Sequence, residues 1–254
     1  MHILLTNDDG INSAGLFALH SRLKKMARVS VVAPEVEMSA AGHAITLSRP
    51  LRVKEFKRGG RFFGYAVDGT PADCVKIALT ALFTKDRPEL VVSGINLGPN
   101  VGFHVIYSGT VSAATEGLII GRPSIAVSLN SRDENPHFMT AANFIAKLIG
   151  GLKENLNDKM LINVNVPNLP YNKIKGVRLT RQGKSTSVER YARRRDPRGN
   201  LYYWLTSELI RRERGKNTDS AALQNGYISV TPLHFDMTDY DAMDMTGRLI
   251  RKAV

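Results

Sequence analysis

Three observations predict an α/β protein with a doubly wound, mostly parallel sheet. Short runs of strand length recur at Ile3–Leu5, Val29–Ala33, Glu89–Ser93, Ser124–Leu129 and Met160–Val166. They alternate with stretches of helical length, Ala14–Met26, Pro71–Phe83, Val111–Ile120 and Pro136–Ile149. The runs are largely apolar and several stop at Asn, Asp, Gly or Pro, as buried strands do where they leave a sheet. Alternation of this kind asks for crossover connections and parallel pairing.

The chain has 254 residues, enough for a substantial core in one large domain or in one domain with an appendage. No stretch approaches the apolar length that spans a bilayer. The first residues enter a strand without the layout of a signal peptide, so a cytoplasmic protein is expected. The single cysteine, Cys74, excludes an internal disulfide framework. It falls within an expected helix and reads as a small buried residue, not a nucleophile. The net charge of +12, from 35 basic and 23 acidic side chains, favours anionic partners such as phosphate compounds or nucleic acid.

The first strand ends at Asn7-Asp8-Asp9-Gly10. A strand buried on both faces cannot hide two adjacent carboxylates, so Asp8 and Asp9 belong at its exit. Ligands of open α/β sheets bind there. Close carboxylates repel unless a cation or a shared proton intervenes. One reading is a divalent metal site built from hard oxygen ligands. The other is an Asp-Gly turn with one Asp capping the next helix. The opening lacks both G-x-G-x-x-G and the P-loop pattern, so the nicotinamide fingerprint is absent.

The second strand ends at Pro34, and a loop of small residues, Met38 to His43, follows it. Ser39 is there either a metal ligand or a turn hydroxyl satisfying the backbone. Ala44–Ser48, Leu51–Glu55 and Phe62–Val67 read as short strands of an antiparallel excursion. Thr70 suits an N-cap, Pro71 the first helical position and Asp73 the first turn, where it complements the helix dipole.

The run ending at Ser93 passes into Gly94-Ile95-Asn96-Leu97-Gly98-Pro99-Asn100-Val101-Gly102. Such a loop offers N–H groups and side-chain amides to an anion or a metal. Ser108-Gly109-Thr110 leads into the next helix, as a phosphate cradle or as simple capping by Ser108 or Thr110. Beyond Pro167, Val177–Arg181 is one further strand, Ser185–Leu205 a basic and aromatic hairpin or arm, Tyr227–Pro232 a strand and the tail from Asp239 helical. Arginine beside aromatics suits single-stranded nucleic acid or an oligomer interface.

Several stretches together resemble the SurE survival proteins, which are metal-dependent 5′-nucleotidases. They are Leu5-Thr6-Asn7-Asp8-Asp9-Gly10, the Ser39 loop, Ser93 to Asn100, Tyr107-Ser108-Gly109-Thr110-Val111, Arg195-Asp196-Pro197-Arg198-Gly199 and Ser229-Val230-Thr231-Pro232-Leu233. The resemblance implies a Rossmann-like catalytic core, placed at residues 1–184, and a β-rich C-terminal arm and tail, 185–254, partly exchanged between subunits of a dimer or tetramer. It implies hydrolysis of nucleoside monophosphates, with polyphosphate a second substrate of some members. It assigns one divalent cation per subunit, Mg²⁺ or Mn²⁺, to Asp8, Asp9, Ser39 and Asn96. It places the phosphate near Asn100, Ser108, Gly109 and Thr110, with Asn96 serving the phosphate as well as the cation. The link Gly102–Ile106, with Phe103 and His104, is expected to shape substrate preference.

The expected chemistry is metal-assisted phosphomonoester hydrolysis, with Asp8 or Asp9 orienting the attacking water or accepting its proton. An Asp nucleophile is the covalent alternative. A haloacid-dehalogenase-type phosphatase needs two aspartates separated by one residue, which Asp8-Asp9 are not. A nucleic-acid-binding protein using Arg190–Arg198 is the competing class, and it leaves Asp8 and Asp9 without a role. A nucleotide sensor without turnover is the third.

Overall fold

The computed structural model describes residues 1–131, 133–152, 158–184, 186–211 and 217–253. β1 (His2–Thr6), α1 (Ala14–Leu23) and β2 (Arg28–Pro34) open the chain. An antiparallel pair, β3 (Val53–Arg58) and β4 (Arg61–Val67), precedes α2 (Pro71–Ile77), which a π turn extends to Leu82. Then come β5 (Leu90–Leu97), the short α3 (His104–Tyr107), α4 (Gly109–Ile119), β6 (Ser124–Asn130), α5 (Phe138–Leu152), β7 (Leu161–Pro167) and β8 (Val177–Leu179). A hairpin of β9 (Thr186–Arg195) and β10 (Leu201–Arg211) is followed by α6 (Asp219–Gln224), β11 (Ile228–Leu233) and α7 (Met243–Ala253).

The main sheet has nine strands in the order β3-β4-β2-β1-β5-β6-β7-β11-β8. From β4 to β7 every neighbouring pair is parallel. Alternation along β1 feeds both layers: Ile3 and Leu5 join the core beneath α1 and α5, while Leu4 joins the core beneath α2. α1 packs on α5, and α2 on α4. This is the doubly wound sheet that alternating runs and helices predicted. Its topological switch point lies at β1, whose neighbours β2 and β5 continue the fold in opposite directions.

Two expectations need correction. Residues 44–48 form no strand. Asp73 captures them instead: its carboxylate accepts from the Thr46 N–H at 3.0 Å and the Thr46 hydroxyl at 2.6 Å. The same carboxylate completes a capping box with Thr70. Second, β5 does not stop at Ser93. It bulges and resumes pairing, with Asn96 opposite Ser128. Gly94 permits this, since a Cβ there would stand 2.3 Å from the Val127 carbonyl oxygen.

The hairpin forms a two-stranded sheet of its own, whereas β11 lies in the main sheet between β7 and β8. Cys74 is fully buried in the α2 layer. Among the described residues no helix is long and apolar enough to cross a membrane.

Candidate active site

β1 delivers Asn7, Asp8 and Asp9 to the sheet edge at the switch point. The Asn7 side chain ties the turn together, its Nδ2 donating to the Gly10 carbonyl at 3.0 Å and to Ser13 Oγ at 2.7 Å. Gly10 adopts φ +88°, and a Cβ there would press on the Val36 backbone at 3.1 Å. The turn therefore lies directly against the loop that carries Ser39, and the Met38 N–H donates to the Asp8 carbonyl at 2.8 Å.

Asp8 is buried. Its Oδ1 accepts the Thr110 hydroxyl at 2.5 Å. Burial pushes its carboxyl above the ordinary range, and bonds from the hydroxyl and N–H of Thr110 act against that rise. Asp9 is pushed up to about 7, first by burial and then by the charge of Asp8. Both shifts are those of two carboxylates held together out of water, an arrangement that a cation relieves.

Asp8, Ser39, Asn96, Asn100 and Ser108 line one cavity of about 180 Å³, together with His104 and Tyr107. Asp9 lies on the other side of Leu97, in a neighbouring cavity. Asn96 Nδ2 donates to the Gly98 carbonyl at 2.8 Å, so its amide oxygen is the end left to face a cation. The Ser39 hydroxyl donates to Glu37 at 2.6 Å. Among the described residues no three His, Cys, Asp or Glu side chains converge on a metal position. A cation here would draw on the hydroxyl of Ser39 and the amide of Asn96 beside Asp8 and Asp9. That all-oxygen set suits a hard divalent ion.

The start of α4 abuts β1. A Cβ on Gly109 would stand 2.8 Å from the Asp8 Cβ. Ser108 is the N-cap, and its Oγ accepts from the Val111 N–H at 3.1 Å. Its hydroxyl proton stays available for an anion. The expectation gave Thr110 to phosphate; in the structure its hydroxyl is spent on Asp8.

Asn100 is clamped by residues that pattern reading overlooked. Its N–H donates to Asn165 Oδ1 at 2.8 Å, and its carbonyl accepts from Asn163 and Asn165 at 2.9 Å each. Its Nδ2 donates to Ser128 Oγ at 2.8 Å, leaving one amide proton for a ligand. Two buried asparagines spaced by one residue in an apolar strand were the available signal. Further along, the Gly102 N–H donates to Asp219 Oδ2 and its carbonyl accepts from Gln182 Nε2, both at 2.8 Å. Glu116 was also overlooked. It is buried within α4 and holds His43 at 2.9 Å and Lys76 at 2.6 Å.

A family model described as "Survival protein SurE" matches residues 3–189. The chain is 53% identical over 249 residues to a protein named 5′-nucleotidase SurE from Syntrophobacter fumaroxidans, covering 98% of this chain and 99% of that one. It is 52% identical over 254 residues to the protein of the same name from Syntrophus aciditrophicus, covering 99% and 95%. The crystal structure of the SurE protein from Aquifex aeolicus superimposes with a TM-score of 0.85 at 43% identity, covering 98% of this chain and 99% of that one. The chain belongs to the SurE survival protein family.

Proposed function

We propose that the protein is a divalent-metal-dependent 5′-nucleotidase, a phosphoric monoester hydrolase that converts nucleoside monophosphates to nucleoside and phosphate. Asp8, Asp9, Ser39 and Asn96 hold one cation, Mg²⁺ or Mn²⁺. When bound, it supplies Lewis-acid polarisation of the phosphate and of water. The observation that carries the reading is a pair of adjacent carboxylates, both raised above the ordinary range, of which the buried Asp8 abuts the start of α4.

Thr110 holds Asp8 in place. Asp9, beside the cation position, orients the attacking water and accepts its proton. Water adds to phosphorus, the ester P–O bond breaks, and the departing nucleoside oxygen takes the proton that Asp9 accepted from the water. The Ser108 hydroxyl, the Gly109 N–H and the second Asn100 amide proton bind the phosphate oxygens, in positions fixed before the substrate arrives. Phosphate release from a nucleotide panel, with and without Mg²⁺ or Mn²⁺, tests the reading. Retention of nucleotide without release would make the protein a sensor.

The hairpin is proposed as the assembly arm. A two-stranded ribbon alone is marginal in water. Tyr191, Tyr203 and Trp204 all stand exposed on it. A second subunit covering them, in a dimer or tetramer, stabilises both ribbon and assembly. This use of the arm leaves nucleic-acid binding by Arg190–Arg198 without a role.

A further inference from the structure

Glu116 takes no part in the proposed chemistry, yet it is a carboxylate buried in a helix of small and apolar residues. Burial pushes its carboxyl up, and bonds from His43 and Lys76 outweigh that and leave it below the ordinary range. An ionised group this deep persists only with partners. The two partners come from different elements. Lys76 reaches Glu116 Oε1 from α2, at 2.6 Å. His43 reaches Oε2 at 2.9 Å from the loop that carries Ser39. An ionised carboxylate only accepts, so His43 Nε2 carries the shared proton.

That loop depends on its polar anchors. Ile45 and Leu47 stand exposed, so apolar burial does little to fix it. Ala40, next to Ser39, sits at φ +56°, a left-handed conformation that a side chain disfavours. Such a turn keeps its shape only when it is held on both sides. Before it, the Met38 N–H donates to the Asp8 carbonyl at 2.8 Å. After it, the Gly42 N–H donates to the Tyr107 carbonyl at 3.1 Å, and His43 donates to Glu116. Farther on, Thr70 holds the Ala44 carbonyl and Asp73 holds Thr46. Ala40, Ala41 and Gly42 have no polar side chain, so His43 is the first residue after Ser39 whose side chain can tie the loop to a helix. The same helix grips Asp8 through Thr110. α4 thus holds Asp8 directly and the Ser39 loop through His43.

We propose that Glu116 is a positioning residue for the cation site: through His43 it latches the Ser39 loop to α4, so that Ser39 shares a cavity with Asp8 before a cation arrives. Lys76 has a separate task, offsetting the charge of the carboxylate. The inference rests on reading Asp8, Asp9, Ser39 and Asn96 as the cation ligands.

The test uses the full-length protein with Mn²⁺ alone as the probe. His43→Ala opens the latch and leaves Glu116 paired with Lys76. His43→Gln puts an amide N–H near the place of Nε2. Glu116→Leu removes the acceptor. Lys76→Met removes the other partner and keeps the latch. Calorimetric titration should show Mn²⁺ affinity about tenfold weaker in His43→Ala and in Glu116→Leu. His43→Gln should recover most of it. In the metal-free protein, hydrogen exchange across residues 38–43 should quicken in His43→Ala while α4 keeps its protection. Lys76→Met should lower the melting temperature and keep wild-type Mn²⁺ affinity. If Glu116→Leu fails to fold, His43→Ala and His43→Gln carry the test. Wild-type Mn²⁺ affinity in His43→Ala, or an equal loss of affinity in Lys76→Met, overturns the proposal. Phosphate release from a nucleoside monophosphate, measured beside these titrations, keeps the two readings apart. Wild type that binds Mn²⁺ and releases no phosphate sinks only the hydrolytic reading. Wild type with no affinity for Mn²⁺ sinks both.

Discussion

The Thr110 hydroxyl donates to Oδ1 of Asp8 at 2.5 Å, joining the first turn of α4 to the tip of β1. Replacing Thr110 with Val keeps its shape and removes the donor. A buried carboxylate losing a partner costs about 1–3 kcal/mol, and here the loss falls on the charged form that a cation requires. Thr110→Val should weaken Mn²⁺ by about tenfold near neutral pH, and Thr110→Ser should restore it. Wild-type Mn²⁺ affinity in Thr110→Val, measured by calorimetric titration, would remove Thr110 from the metal site.

Asp8→Asn and Asp9→Asn should each lower kcat/KM for nucleoside monophosphate by at least about a hundredfold. Neither should lower the melting temperature of the metal-free protein, because each removes one of two adjacent carboxylates that repel each other without a cation. Steady-state kinetics beside a thermal melt in chelator separates this from simple unfolding. A marked fall in melting temperature would mean that the carboxylates serve the fold.

Relative to Asp9→Asn, the metal-free wild type should lose stability as pH rises from about 4 to about 7, the value to which Asp9 is raised. The folded state keeps its proton on Asp9 across this window, while the unfolded chain has already released it. The slope is at most about 1.4 kcal/mol per pH unit for one group. Asp9→Asn should flatten the profile, and saturating Mn²⁺ should reverse it. A stability difference between wild type and Asp9→Asn that stays constant across the window would contradict the raised carboxyl.

Asn165→Leu strips the Asn100 N–H of its acceptor and the Asn100 carbonyl of one of two donors. The cost is about 1–3 kcal/mol of stability. The loosened Asn100 should raise KM for substrate and the inhibition constant for free phosphate together, with Mn²⁺ affinity unchanged. Equal phosphate inhibition of wild type and variant would detach the clamp from phosphate binding.

Trp204, the one tryptophan of the chain, stands 61% exposed on the hairpin. Assembly through the arm should bury it, shifting its emission to the blue as protein concentration rises through the micromolar range. Trp204→Glu removes this probe, and should dissociate the oligomer in sedimentation. Replacing Arg193, Arg194 and Arg195 together should leave Mn²⁺ affinity unchanged. Tight, salt-sensitive oligonucleotide binding, lost in that triple variant, would instead favour a nucleic-acid arm.

Most of the parallel sheet was legible because β1, β5, β6 and β7 are buried on both faces, so their residues are apolar in near-continuous runs. The position of Asp8 and Asp9 followed from the abrupt end of the first run. Residues 44–48 misled because their alternation of apolar and polar side chains imitates a strand, while the partner that fixes them, Asp73, lies 27 residues away. The bond from Thr110 to Asp8 was hidden for the same reason, spanning 102 residues between two local patterns that each made sense alone. Asn163 and Asn165 interrupt an apolar strand, yet pattern alone does not say which backbone atoms they serve.

The two feet of the hairpin are fastened to each other as well as to the catalytic loop. The Arg181 N–H donates to the Asn217 carbonyl and the Asp219 N–H to the Arg181 carbonyl, each at 3.0 Å, just beside the grip of Gln182 and Asp219 on Gly102. What lies between the feet is thus an insertion with a closed base. Changes in its length or sequence beyond Gln182 should leave the loop beneath in place. The same base is a natural place to graft a foreign segment: a short turn joined beyond Gln182 should leave the sheet, and the clamp on Asn100, intact.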